Sequence, residues 1–288
     1  MKKMKKIMVT VSGGRSSAYK AIMLKKHYSH KYEMVFSFAN TGQEHPETLN
    51  FINKLDKRFN LNLIWIEAVI HHGERVASTH KVVSYETCTK IGERGESKSD
   101  PFEEVIKKYG LPNQNFPHCT RELKINPANS LMKELGIEVK TLGIRIDEPK
   151  RIRREEGVLY PLVDLFPATK SDVLLFWRQQ DFDLEITEEL GNCVGCYKKS
   201  NSKLWTIAKD NNKFFDFFRE MEEKYSEVGT SVENGGARKI YRGHCSSLDI
   251  IEASKKDFRE FAENTTLTPS IFAFTDIDEC ADECGSVQ

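Results

Sequence analysis

The stretch Ile7-Met8-Val9-Thr10-Val11-Ser12-Gly13-Gly14-Arg15-Ser16-Ser17-Ala18 decides how this chain is read. Apolar and β-branched residues from Ile7 to Val11 run into a serine and two glycines, and a helical pattern carrying Tyr19, Ile22, Met23 and His27 follows. The pattern predicts a buried strand, a tight turn and the start of a helix. Glycine permits a positive φ and a close approach of backbone, and the first N–H groups of a helix attract an anion. Arg15 adds a permanent charge, while Ser16 and Ser17 add hydroxyl donors and a candidate N-cap. Neither G-x-G-x-x-G nor G-x-x-x-x-G-K-[ST] is present. The stretch therefore reads as a phosphate cradle or as a plain connecting turn, and the rest of the chain decides between them.

With 288 residues, 39% hydrophobic and 30% charged, the chain is long enough for one large domain, alone or with an appendage. Lys+Arg 43 against Asp+Glu 43 leaves no net charge, so no overall field announces a nucleic-acid or membrane partner. Charge is uneven locally: Lys2, Lys3, Lys5 and Lys6 open the chain, and Lys150, Arg151, Arg153 and Arg154 cluster in its middle. The first residues are too charged for a signal peptide, and no apolar run approaches the roughly 20 residues that span a bilayer. A cytoplasmic location with no membrane partner is the expectation. In that compartment the seven cysteines read as metal ligands, redox thiols or buried hydrophobes rather than a disulfide framework.

Ser12-Gly13-Gly14-Arg15-Ser16-Ser17 resembles the S-G-G-x-[DS]-S pyrophosphate-binding loop of the superfamily of PP-loop ATP pyrophosphatases and phosphoadenylyl-sulfate (PAPS) reductases. Further segments match in order. Strands are expected over 34–39 and 63–66, a helix over 46–59, and the turn between them carries Asn40, Thr41, Gly42, Glu44, Glu47 and Thr48 of an N-T-G-x-E-x-x-E-T element. Residues 71–99 read as a long irregular insertion, followed by a short helix over 101–109. The segment 117–127 resembles a C-[CST]-x-x-x-K-x-x-P element, in which Lys124 and Arg121 would face a sulfate or phosphate. A strand over 139–145 leads into Gly143, Arg145, Asp147 and Arg151, which occupy positions of a further family signature. Residues 160–164, followed by Asp172 and Val173, match an architectural element in which Phe166 or a neighbour replaces a common Trp.

Alternating strands and helices imply a Rossmann-like, doubly wound parallel α/β sheet of about five strands, with ligands at the carboxyl ends of the strands. The expected division is a nucleotide-binding domain over residues 1–170 and a helical region over 171–288. The resemblance implies an adenine nucleotide, either ATP or PAPS/APS, held by Ser12, Gly13, Gly14, Arg15, Ser16, Ser17, Asn40, Thr41, Gly42, Gly143, Arg145 and Asp147. It also implies Lys124 and Arg145 as catalytic cations.

Cys193-Val194-Gly195-Cys196 brings two thiols within reach of one metal or cluster, with Lys198 and Lys199 beside them. By itself the spacing also suits a zinc half-site, a redox dithiol or two buried cysteines. APS reductases of the family carry a paired Cys-Cys, a long gap and then C-x-x-C around a [4Fe–4S] cluster. Here Cys119, Cys193 and Cys196 fit that layout while His118 stands where the first cysteine would be, so His118, Cys245 or Cys88 are the candidates for a fourth ligand. Near the C-terminus Glu283-Cys284-Gly285 matches the first half of the reductases' E-C-G-[IL]-H tail, which would make Cys284 a nucleophile; Cys280 would be its alternative redox partner.

The resemblance thus implies thiol-dependent reduction of an adenylyl sulfate to sulfite, with thioredoxin or glutaredoxin as partner. One alternative is an ATP pyrophosphatase that uses Mg²⁺ to adenylate a tRNA, a DNA base or a small molecule for sulfur transfer. Another is a non-catalytic nucleotide sensor. Residues 200–264 read as mostly helical, and the glycine-rich basic loop over 229–242 as a cover or a connector.

Overall fold

The computed structural model describes residues 4–73, 75–92, 100–228, 240, 245–262 and 267–268. Six strands form one sheet: β1 (Lys5–Val11), β2 (Tyr32–Asn40), β3 (Ile64–Val69), β4 (Thr79–Val83), β5 (Val139–Thr141) and β6 (Val158–Leu159), in the order β4-β3-β2-β1-β5-β6. All neighbours pair in parallel except β3 and β4. In the register at the centre of the sheet, Val9 lies between Phe36 and Thr141. The sheet is Rossmann-like α/β, as expected, with one strand more than expected. Neither β4 nor β6 is placed by the sequence: β4 lies inside the stretch read as irregular and is antiparallel, at an edge, and polar enough to hide its alternation, and β6 is only two residues long.

The apolar run of β1 follows from cover on both faces. Ile7, Val9 and Val11 point into a core with α1 (Arg15–Tyr28), α2 (Pro46–Phe59) and Trp177 of α7 (Lys170–Arg178). Met8 points the other way, to Ala128, Leu131 and Met132 of α5 (Asn126–Glu134). A separate apolar cluster joins α3 (Pro101–Tyr109) to Val194 and Tyr197 and to the helices α8 (Asn201–Asp210), α9 (Asp216–Tyr225) and α10 (Ser247–Ser254). The short helices α4 (His118–Thr120) and α6 (Pro161–Asp164) complete the set.

The chain order reverses between β1 and β5, because β2 and β3 extend the sheet on one side of β1 and β5 and β6 on the other. Loops diverge above such a point and leave a crevice at the carboxyl ends of the strands. β5 is only three residues long, so Gly143 and Arg145 lie on the loop beyond it rather than in the strand.

Candidate functional site

Gly13 takes φ +82°, and a Cβ there would stand 2.5 Å from Thr48 Cγ2 and 3.3 Å from Ile52 Cδ1, so the turn is built on a residue without a side chain. The N-cap of α1 is Gly14, without a side-chain cap, rather than Ser16 or Ser17. Ser17 braces the loop instead: its Oγ donates to Gly14 O at 2.8 Å and accepts from Ser12 N at 3.0 Å. Gly143 lets the loop after β5 pass against this turn, since a Cβ there would lie 3.0 Å from Ser17 Cα. Arg145 then reaches across the reversal point and donates to Ser16 Oγ at 3.0 Å.

These residues line a first cleft of about 550 Å³, with Arg15, Arg151, Lys170 and Lys203 among its walls and Glu148 and Glu188 as its carboxylates. The cations exceed the carboxylates, as a polyanionic ligand requires. They are held in ion pairs: Arg145 lies 2.9 Å from Asp147 and 3.5 Å from Glu148, and Glu188 joins Lys170 and Lys203 at 2.6 Å each. Arg15, expected as the cation that meets the ligand, is tied by Asp183 Oδ1 at 2.7 Å and Leu184 O at 2.6 Å. Asp147 also accepts from Lys170 N at 3.2 Å, so it anchors the helix start rather than facing the cleft.

The turn after β2 divides its residues differently from the expectation. Asn40 is buried and spends its amide on Glu67 Oε1 and Thr89 O, both at 2.8 Å. Gly42 takes φ +82° and packs against Thr89 and Asp100. Thr41 alone of the three reaches a cleft, the second, of about 660 Å³, which Cys119, Cys193, Cys196, Lys124 and Lys199 also line. The two clefts are continuous, for Ser12, Arg151, Glu188, Gly191, Asn192 and Lys203 line both.

The cysteine segment is stitched to the turn after β2. Glu44 and Cys193 form an antiparallel bridge, and Val194 N donates to Gln43 O at 3.0 Å. Glu44 is buried; its Oε2 accepts from Thr41 N and Thr41 Oγ1, and its Oε1 lies 3.5 Å from Lys124 Nζ. Thr41 Oγ1 in turn stands 3.3 Å from Cys193 Sγ. Burial, and then the Glu44 carboxylate, push the Cys193 thiol up to about 12. Burial raises Cys119 as well, against the hydrogen bond of Tyr197 Oη at 3.8 Å. Burial presses Lys124 down, but Cys193, Glu44 and Cys196 outweigh it and hold the ammonium above its ordinary range. Lys199, whose Nζ donates to Glu189 O and Gly191 O, is lowered by burial to about 8.

Lys124 reaches this cleft because residues Arg121–Ile125 form a π-turn. Arg121 does not accompany it; its guanidinium pairs with Glu122 at 2.7 Å and lies over the Tyr109 ring. The candidates for a fourth ligand do not line the second cleft. His118 is buried with Nε2 3.0 Å from Gly110 O, Cys88 lies in the core beneath the sheet, and Cys245 packs against the helical cluster. Among the described residues no three His, Cys, Asp or Glu side chains converge so as to hold a metal ion. Cys280, Cys284 and nearly all of the 229–242 loop lie outside the described residues. No helix among the described residues is long and apolar enough to cross a membrane.

Sequence reasoning missed Glu188, Asn192 and Lys203 as cleft walls, and nothing in their spacing marks them. Asn192, at φ +60°, supplies the left-handed turn at the wall the two clefts share, from which the cysteine segment enters the second. Arg151 was legible as a signature position.

Residues 6–96 match the family model of the phosphoadenosine phosphosulfate reductase domain, so the resemblance to the PAPS reductase-like PP-loop proteins holds there. An uncharacterized nin region protein of Escherichia phage lambda is 29% identical over 96% of this chain and 93% of its own. Two uncharacterized proteins of Methanocaldococcus jannaschii are 21% and 25% identical over 61% and 77% of this chain, which spans only 34% and 43% of theirs. Among solved structures, the PAPS reductase of Candida auris in its phosphate complex is 16% identical over 60% of this chain and 71% of its own, at a TM-score of 0.37. The U34-tRNA thiolase of Methanococcus maripaludis with its [4Fe–4S] cluster is 13% identical over 87% and 81%, at 0.38.

Proposed function

From the resemblance to the PAPS reductase domain over residues 6–96, we propose an adenine-nucleotide-dependent sulfur-transfer enzyme with two adjoining half-sites. The observation that carries the reading is the shared wall: Ser12 and Asn192 border both the cationic cleft and the cleft of three cysteines. In the first cleft the 12–17 loop and Arg145 bind the phosphates of ATP, while Glu148 and Glu188 are engaged by Arg145 and Arg151 and by Lys170 and Lys203 and offer no free carboxylate to a Mg²⁺ ion. An acceptor oxygen attacks the α-phosphorus, the α–β bridge breaks, and pyrophosphate leaves against the loop. A hydrosulfide sulfur then attacks the adenylated carbon, the carbon–oxygen bond breaks, and AMP leaves with that oxygen.

Cys119, Cys193 and Cys196 line the second cleft with Lys124 and Lys199 and are the residues that would hold a [4Fe–4S] cluster, for which the three thiols would have to draw together, since they do not converge as they stand. Such a cluster, when bound by three cysteines, supplies an open iron able to carry sulfur. Lys124 only partly offsets the burial and the Glu44 carboxylate that raise the Cys193 thiol, and Glu44 and Thr41 fix where Cys193 stands.

The test is AMP and pyrophosphate release from ATP that depends on an acceptor, with a tRNA, a DNA duplex and small carbonyl compounds offered in turn. Turnover that survives Cys196→Ser and Arg145→Ala together would overturn the reading. The domain match favours a second reading, reduction of PAPS or APS to sulfite with thioredoxin or glutaredoxin and Cys284 as nucleophile. Sulfite formation abolished by Cys284→Ser would establish it. Nucleotide binding without turnover in either assay would leave a sensor. Anaerobic iron and sulfide analysis with a visible spectrum checks the cluster separately.

A further inference from the structure

Lys20 lies on the second turn of α1 and is fully buried. Its Nζ donates to Thr10 O at 2.7 Å and to Thr141 O at 3.0 Å. Those carbonyls stand at the ends of β1 and β5, the pair between which the strand order reverses. Thr10 and the residues following Thr141 line the first cleft, so the amine sits directly beneath its floor.

The surroundings of this amine bring it no carboxylate. On α1 itself Arg15 is held by Asp183. From the helices packed against α1, Asp172 closes the capping box of α7, Glu47 of α2 accepts from Asn50, and Asp164 of α6 pairs with Arg154. Beyond β5, Arg145 is engaged by Asp147 and Ser16. Burial alone lowers the Lys20 amine to about 7. A neutral amine has two N–H donors, which match the two carbonyls; an ammonium has a third. Thr141, whose carbonyl the amine already reaches, also keeps a buried Oγ1 without a hydrogen-bond partner, an acceptor for a third donor after a small side-chain shift.

We propose that Lys20 is a positioning residue that couples nucleotide binding to the uptake of one proton. Phosphate charge arriving on the 12–17 loop draws a proton from solvent onto the amine beneath it, with no bond to the ligand made or broken. The resulting ammonium holds the ends of β1 and β5 together and fixes the loop that caps them. This inference rests on the nucleotide reading above.

Calorimetric titration with ADP at pH 8.5, in two buffers of different ionisation enthalpy, measures the protons taken up; the phosphates of ADP have finished titrating there. Wild type should take up close to one proton per ADP, and Lys20→Met and Lys20→Arg close to none, because methionine accepts no proton and arginine never loses one. The wild-type Kd should rise about tenfold per pH unit between pH 8 and 9 and stay flat in both variants, with Lys20→Arg binding more tightly than Lys20→Met. Lys199 titrates in the same range, and equal uptake in wild type and variants would assign the proton there and overturn the proposal. Binding without any uptake by wild type would also overturn it while leaving the nucleotide reading intact. No ADP binding at any pH would overturn both. Should both variants fail to fold, Lys199→Met takes their place: uptake retained there assigns the proton to Lys20, and uptake lost there overturns the proposal.

Discussion

Gly13 sets the turn of the 12–17 loop, and Lys20 ties together the carbonyls of Thr10 and Thr141 at the strand ends beside it. A methyl group at Gly13 would both force φ +82° on an L side chain and press within 2.5 Å of Thr48 Cγ2. Gly13→Ala should therefore cost about 1–3 kcal/mol in urea unfolding and weaken ADP binding more than Gly14→Ala, where a Cβ meets open space. Lys20 adds a pH signature to stability. Its amine is near 10.5 when unfolded and about 7 when folded, so between those values the unfolded chain holds one proton more. Stability then rises with pH across that window, by about 1.4 kcal/mol per unit from this group. Lys199, lowered to about 8, adds in the same direction from its own pKa upward, while Cys193, raised to about 12, subtracts above about pH 9. Chemical denaturation at pH 7 and pH 9 should show the slope, and Lys20→Met should lose the part due to Lys20. An unchanged slope in that variant would refute the assignment.

The turn after β2 is the joint between the two half-sites, and Glu44 is its pin. Glu44→Ala would strip the acceptor from Thr41 N and Oγ1 and leave the half-exposed Lys124 without its carboxylate. A loss of about 2 kcal/mol is expected, with Lys124→Met in the Glu44→Ala background restoring part of it, since breaking a pair costs more than replacing both members. How far such features could be read in the sequence depended on whether local chemistry set them. The spans Pro46–Phe59 and Pro101–Tyr109 were legible to the residue, because a proline opens each and an apolar face runs through it. The glycine loop was legible because Gly13 takes a positive φ in a space that excludes a Cβ. β4 was not, since an exposed antiparallel edge strand of sequence Thr-His-Lys-Val-Val carries little apolar alternation. Asn40 looked like a ligand residue and is a buried brace, and nothing in the sequence marks Lys20 as a buried amine. In both cases partners distant in sequence, Thr89 and Thr141, decide the environment.

The sheet and the helical cluster meet along the wall that both clefts share, and this gives the fold a consequence that neither part has alone. The 12–17 loop belongs to the sheet, whereas Cys193 and Cys196 are carried by a segment whose Val194 and Tyr197 pack with α3, α8 and α9. The bridge from Glu44 to Cys193, the Val194 N–Gln43 O hydrogen bond and Asn192 at its left-handed turn set the thiols in the second cleft beside the first. A nucleotide filling the first cleft therefore lies against the entrance of the second. Alkylation of Cys196 by iodoacetamide, followed by peptide mass spectrometry, should slow about tenfold at ADP concentrations ten times Kd if occupancy closes that entrance. Cys245, packed against the helical cluster away from both clefts, should keep its own rate and serves as the internal control. Slowing of both cysteines alike would mean that ADP tightens the whole molecule rather than covering the thiols. An unchanged Cys196 rate with ADP demonstrably bound would mean that the clefts share residues without sharing access, and sulfur transfer between them would need a route other than the common wall.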